Sequence, residues 1–326
     1  MRHPMTRLML GALLLAGLPV ATPAPAQPYP TRPVRVIVPF PPGGVADVTA
    51  RLIGQKLGEA LGQQMVIENR TGASGILGVD AAAKAAPDGY TLLITTGDFI
   101  TTPSLMPKMA FDPDKDLVPI TLIATAPLLL AAQTGGPIGS VKDLLAAAKA
   151  KPGAVPFSSP GNGTINHLAV EWLAIEGAIK LLHVPYRGGA PAATAIAAGD
   201  VPIGAVTPSS GQSLIDAGKI KPIALMARER PSFAPPEWPS LADSGMAVDA
   251  ALWVGLFAPA ATPAAIVARL DSEVARILQD AALRKRLNDL GAEASGLSRA
   301  AFVERIRLDA ARYGKIIAQT GIRVEQ

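Results

Sequence analysis

The stretch VIVPFPPGGVADVTARL, residues 36–52, restricts the chain to a narrow set of folds. The β-branched run Val34–Val38 reads as a buried strand, Pro39-Phe40-Pro41-Pro42 breaks it, and Gly43-Gly44 turns into a helix beginning near Asp47. A strand that passes through glycines straight into a helix is the corner of a βα unit. Glycine there lets the backbone take a positive φ and come close to a ligand. The first-turn N–H groups have no partner inside the helix, and the positive end of its dipole lies behind them. Such a corner suits a carboxylate or phosphate, although a lone Gly-Gly serves equally as a plain turn. The decision rests on whether other stretches converge on it.

They repeat its pattern. The first helix runs to Leu61 with Val48, Leu52, Ile53, Leu57 and Leu61 as its apolar stripe, and Gly62 ends it before a strand over Met65–Glu68. TGASGILG (71–78) turns into a helix reaching about Ala85, and a third strand, Tyr90–Thr95, ends in Thr95, Thr96, Gly97 and Asp98. Alternation at this spacing predicts βαβ units, whose ligands bind at the carboxyl ends of the strands. Leu117–Gln133 reads as two strands joined near Ala126-Pro127, a crossing between domains. Ser140 caps a helix to Lys149, and the strand Val155–Ser158 delivers SSPGNGTINHL (158–168). The strand Leu181–Val184 delivers PYRGGAPA (185–192), with Pro191 expected as the first helical residue of a helix to Ala198. Strands follow at Val201–Val206 and Lys219–Met226, and Leu252–Ala258 carries the chain back. From Thr262 the chain reads as helical, with Thr262-Pro263 as a cap, continuation through Leu283–Leu290 to Gly291, and Ser298 capping a last helix.

Composition narrows the address and the chemistry. Arg2 and Arg7, the apolar run Leu8–Val20 and Ala24-Pro25-Ala26 form a secretory targeting segment over residues 1–26, too short in its apolar core to be a membrane span. Its removal leaves 28 basic against 26 acidic residues, interspersed and with few aromatics, so nucleic acid is not an expected partner. The absence of cysteine excludes disulfides and a lipid anchor on cysteine. Catalysis has little to stand on: only His167 and His183 remain after export, and Gly72-Ala73-Ser74-Gly75 is not a nucleophile elbow. Neither the dinucleotide fingerprint nor the P-loop is met. No cofactor and no metal is expected.

Three strand-to-helix corners therefore stand out: Gly43-Gly44, Gly161-Asn162-Gly163-Thr164 and Gly188-Gly189. Facing one crevice, their helix N-termini would hold an organic anion, with Asp47, Thr95, Thr96, Thr164 and Asn166 adding polar selectivity.

The strings YPTRPVRVIVPFPPGGVADVTARL (29–52), VIENRTGASGILG (66–78), AAPDGYTLL (85–93), SSPGNGTINHLA (158–169) and HVPYRGGAPA (183–192) resemble the Bug family, the extracytoplasmic solute-binding receptors of tripartite tricarboxylate transporters. The resemblance runs on through AGKIKPIAL (217–225) and GLFAPAATP (255–263). It implies an α/β, two-domain Venus-flytrap of the periplasmic-binding-protein type II class. The sheets are then mixed, mostly parallel and flanked by helices, around a ligand cleft between the domains. The implied division is residues 27–127 with 252–326 as one domain and 128–251 as the other. It also implies non-enzymatic capture of a small organic carboxylate by a periplasmic monomer that meets membrane transporter subunits transiently. A receptor presenting its closed form to a membrane sensor kinase is the alternative.

Carried over position by position, the ligand-binding set is Phe40, Pro41, Gly43, Gly44 and Asp47 from the first corner. The second corner brings Ser159, Gly161, Gly163, Thr164 and His167, and the third brings Tyr186, Gly188, Gly189 and Ala190. Thr95 and Thr96 join them at the end of the third strand. Where relatives carry a Phe-Asp-Asn run this chain has Ala205-Val206-Thr207, and where many carry a histidine it has Phe99. Phe99 and Thr207 are thus added to the pocket, and a more apolar or aromatic carboxylate is expected.

Overall fold

Strand β1, Val34–Val38, has four of its five side chains buried, as its unbroken apolar run requires. The computed structural model describes residues 29–106 and 111–323; the targeting segment expected over residues 1–26 lies outside them. From β1 the chain enters the helix Val45–Leu61, then strands β2 (Met65–Asn69) and β3 (Thr91–Thr96), with the helix Ile76–Ala83 between them. Strand β4, Leu117–Pro127, leads after one residue into β5, Leu129–Gln133. Then come β6 (Pro156–Ser159), β7 (Leu182–Pro185), β8 (Ile203–Val206), β9 (Ile220–Leu225), β10 (Ala251–Pro259) and β11 (Glu293–Ala294).

The strands form two sheets, in the orders β11-β4-β10-β3-β1-β2 and β7-β6-β8-β5-β9. Strands that alternate with helices pair in parallel, β1 with β2 and β3, and β6 with β7 and β8. The first sheet also holds two strands running against the rest, β10 and the short edge strand β11, and the second holds one, β5. Strands β10 and β5 adjoin the crossings from one sheet to the other. There Met226 N–H donates to Leu128 O (2.8 Å), Ala250 N–H to Met226 O (2.7 Å) and Leu128 N–H to Ala250 O (3.4 Å). Leu128, Met226 and Ala250 are buried, so the two crossing segments are bound to each other where backbone groups have little water to fall back on.

The first lobe carries an aromatic core of Phe99, Trp253, Phe257 and Phe302, and each fully buried ring contributes about 1.5–3 kcal/mol. Trp253 satisfies its indole N–H on the buried Asp309 carboxylate (3.1 Å), which Arg305 also binds (2.6 Å). The last helix, Arg299–Thr320, is capped by Ser298 as expected and lays Phe302, Tyr313 and Ile317 inward.

Local expectations fail where cap chemistry decides. Thr262 is not a cap: its N–H turns back to Pro259 O, and its buried hydroxyl has no partner. Pro263 takes the cap position and the helix begins at Ala264. That helix does not continue to Gly291, because the Asp280 carboxylate accepts from Ala282 and Leu283 N–H and starts a new one, Ala281–Asp289. Pro191 is the third helical residue, since Gly188 at φ +116° caps a helix starting at Gly189. A serine-rich helix, Pro208–Asp216, follows β8 unforeseen; PSSGQSLID carries too few apolar residues to announce it.

Candidate interdomain binding site

At the first corner Gly43 takes φ +85° and Gly44 caps the helix with no side chain closing its N-terminus. A Cβ on Gly43 would meet nothing within 4 Å, so the turn opens onto free space. Asp47 holds the loop from inside. Its carboxylate accepts from Gly43 N–H (2.9 Å), Arg51 Nε (3.1 Å) and Asn69 Nδ2 (2.9 Å), and Asn69 also donates to Phe40 O (3.0 Å). Burial pushes the Asp47 carboxyl up. The bonds from Arg51, Gly43 and Asn69, with the Arg51 charge, outweigh it and hold the group below the usual carboxylate range. Asp47 is therefore an internal strut. The N–H groups of Gly44, Val45 and Ala46 have no partner among the described residues.

The third corner has the same character. Gly188 donates to Pro160 O (3.0 Å) at φ +116°, and the N–H groups of Gly189 and Ala190 have no partner among the described residues. Thr207, at the end of β8, caps the neighbouring Pro208–Asp216 helix by backbone position. Its hydroxyl is shared with Ser209 (3.0 Å) and Ser210 (2.9 Å). Ser210 lies against Gly189, where a Cβ would stand 2.3 Å from its Oγ.

The second corner differs: the amides of Gly161, Gly163, Ile165 and His167 are occupied. Gly161 N–H donates to Ser159 Oγ (3.2 Å), Gly163 N–H to His167 Nδ1 (3.1 Å) and His167 N–H to Thr164 Oγ1 (3.4 Å). Ile165 N–H donates to a carboxylate from the other lobe, Asp98 Oδ1, at 2.7 Å. Thr96 binds the other Asp98 oxygen (2.5 Å), and Thr101 Oγ1 reaches Gly163 O (3.2 Å). Burial pushes the Asp98 carboxyl up, against the opposing pull of the Thr96 and Ile165 bonds. Behind the corner His167 and His183 stack at 3.5 Å and 10°, with His183 Nε2 hydrogen-bonded to Ser159 Oγ at 2.7 Å. Burial and the adjacent His167 push His183 down to about 3, so its ring is neutral at pH 7.

The loop between β2 and the helix Ile76–Ala83 joins these parts. Gly72, Ala73, Ser74 and Gly75 all have positive φ, at +130°, +46°, +54° and +96°. For alanine and serine this is a strained backbone of the kind that gathers at functional sites. Gly75 faces the Phe40 ring, and Ser74 Oγ lies 3.4 Å from the Cβ position of Gly161. A narrow cavity of about 10 Å³, room for about one water, lies between Ser74, Asp98, Thr101 and Thr102 on one side and Asn162, Gly163 and Thr164 on the other.

Of the residues expected to line the pocket, Phe40, Gly43, Gly44, Gly161, Gly188, Gly189, Ala190 and Thr207 lie on these corner loops. Pro41 is exposed beside them and Tyr186 half-buried. Ser159, Gly163, Thr164 and His167 are bound up inside the second corner, and Thr96 is bound to Asp98. Thr95 is buried in β3 with its hydroxyl on Thr96 O. Phe99 departs from expectation: its ring is buried edge-on to Phe257 (5.2 Å) and Trp253 (6.3 Å) in the core. Ala205 and Val206 are likewise buried within β8. Asp98, Ser74 and Thr101 were not assigned to the site; a lone acid after an apolar strand, in Thr96-Gly97-Asp98-Phe99, is the signal that marked Asp98.

Residues 49–322 match the model of the tripartite tricarboxylate transporter family receptor. The chain belongs to that receptor family. Membership in a family of receptors bears out the non-enzymatic expectation. The receptor is similar to protein BugT of Bordetella pertussis, 34% identical over 283 residues, covering 86% of each chain. Among solved structures it is similar to an R. palustris protein with adipate, at TM-score 0.84 and 33% identity over 90% of this chain and 99% of the other. It is also similar to MatC from Rhodopseudomonas palustris with bound malate, at TM-score 0.81 and 31% identity over 89% and 100%. These structures share the two-lobed periplasmic-binding-protein fold. No helix among the described residues is long and apolar enough to cross a membrane.

Proposed function

We infer that this receptor captures a small organic carboxylate between its lobes in the periplasm and hands it to a tripartite tricarboxylate-type membrane transporter, acting as a monomer. The lobes are residues 27–127 with 252–326, and 128–251, meeting at the bonded crossings Leu128, Met226 and Ala250. The observation that carries the reading is the pair of open helix N-termini. Gly44–Ala46 and Gly189–Ala190 supply free amides at the carboxyl ends of β1 and β7, where a carboxylate oxygen takes the place of water. The similar structures hold adipate and malate, both carboxylates. Ligand bound to one lobe gains the second lobe's amides only on closure, so it favours the closed form.

The expected preference for a more apolar or aromatic acid loses its basis, because Phe99, Ala205 and Val206 are core residues. Aliphatic carboxylates fit better. A thermal-shift screen with adipate, malate, succinate and benzoate tests this, since ligand at a hundred times its Kd adds about 2.7 kcal/mol. Stabilisation by an aliphatic acid is expected. Stabilisation by benzoate alone would overturn the ligand class, and stabilisation by amines or sugars but no acid would overturn the receptor reading.

A further inference from the structure

The helix Ile165–Glu176 belongs to the second lobe, yet its N-terminus is closed by the first. Asp98 follows β3 in one sheet and Ile165 follows β6 in the other, and their 2.7 Å bond joins the lobes directly. The helix dipole favours a negative group at this end. Gly97 makes the approach possible, since a Cβ there would lie 2.9 Å from Ile165 Cδ1 and 2.7 Å from the Trp253 ring. Thr96 fixes the carboxylate from its own side, and Thr101 Oγ1, which donates to Asp98 O at 2.7 Å, also reaches Gly163 O across the lobes at 3.2 Å. Asn162 Nδ2 adds a third interlobe contact, to Arg323 O at 2.9 Å.

We propose that the Asp98 carboxyl group is a built-in latch that holds the lobes together, so that the receptor populates its closed form before any carboxylate arrives. This rests on the flytrap reading above but concerns the ligand-free protein. The second corner is then a joint that Asp98 fastens, while the first and third corners take the ligand. Latching raises the fraction of molecules ready to bind, and the apparent Kd falls in proportion to that fraction. Asp98 is a positioning residue: it reaches the ligand only through the geometry of the joint.

The test is small-angle scattering on the ligand-free exported protein, comparing wild type with Asp98→Ala and Thr101→Val. Both variants are checked for a cooperative melt. Asp98→Ala is expected to enlarge the ligand-free radius of gyration and Thr101→Val to do so by less. Saturating adipate or malate should return both to the compact size, with affinity lowered about tenfold for Asp98→Ala. The protein has no cysteine, so Ser74→Cys with Gly161→Cys forms a unique interlobe disulfide on oxidation. That disulfide should restore the compact radius in the Asp98→Ala background and leave an otherwise wild-type chain unchanged. If Asp98→Ala does not fold, Thr101→Val with the cysteine pair decides. A folded Asp98→Ala variant as compact as wild type, or a ligand-free cysteine-pair protein with Asp98 intact that shrinks when the disulfide forms, would overturn the latch. Failure of every carboxylate to bind would instead strike the receptor reading, and the ligand-free comparison would still stand.

Discussion

The first and second corners of this receptor look alike in sequence and differ in structure: among the described residues the helix N-terminus is open at the first and largely occupied at the second. Each follows a parallel strand, turns through glycine and opens a helix. At Gly43-Gly44 the one acid in the first turn, Asp47, points back to hold the loop with Arg51 and Asn69, and the amides of Gly44–Ala46 stay free. At the Gly161–Ile165 corner the acid arrives from the other lobe, Asp98, and together with His167 and Ser159 it occupies the amides of Ile165, Gly163 and Gly161. A helix N-terminus attracts an anion in both cases. What separates a binding jaw from a structural joint is whether the protein already supplies that anion.

Four changes probe the contrast. The largest effect is expected at the open corners: Gly188→Val forces a β-branched residue into φ +116° and should weaken carboxylate binding about a hundredfold or more, some 2.7 kcal/mol, with the fold retained. Calorimetry on the variant measures it. Affinity within a few-fold of wild type would break the assignment of the third corner to the ligand.

Asp47→Ala should lower stability by about 2 kcal/mol, because it strips hydrogen bonds to a charged group from Gly43, Arg51 and Asn69. The rank order of acids should not move, since no Asp47 oxygen is spare; a changed order in the thermal-shift screen would make Asp47 a ligand contact.

Acid should also tell the corners apart. His183 falls from the ordinary histidine value to about 3 on folding, so the unfolded chain binds more protons between those limits. The stability it contributes is complete above about pH 6.5 and is lost as pH falls towards 3. Asp47, held below the carboxylate range, contributes above about pH 4 and loses its share only as pH falls through its lowered value. Melting between pH 7 and 4.5 should therefore lose the His183 contribution while that of Asp47 holds, so His183→Gln should flatten that loss and Asp47→Asn leave it in place.

The smallest effect is at Phe99. Trimming a core ring to leucine in Phe99→Leu should cost about 1 kcal/mol of stability and leave the acids bound unchanged in rank.

The two-sheet architecture was legible from alternating strands and glycine corners, because period and turn chemistry are local properties. The crossing at Ala126-Pro127 was legible for the same reason, as a change inside one apolar run. Cap details at Thr262, Asp280 and Pro191 were less so, since each turned on which neighbour reached the first-turn amides. The partner of Ile165 could not be read at all: Asp98 lies 67 residues away on the other lobe. Phe99 was misplaced because a position three residues past a strand end can face either cleft or core, and only the rings of Trp253 and Phe257 decide which.

Amide hydrogen exchange, read residue by residue with and without adipate or the strongest-binding acid of the screen, tests the division of labour between corners most directly. Gly44, Val45, Ala46, Gly189 and Ala190 should exchange quickly in the free protein and gain protection on binding, while Ile165 and Gly163 are protected in both. Ligand-induced protection confined to Ile165 and Gly163, with the first and third corners unmoved, would contradict it.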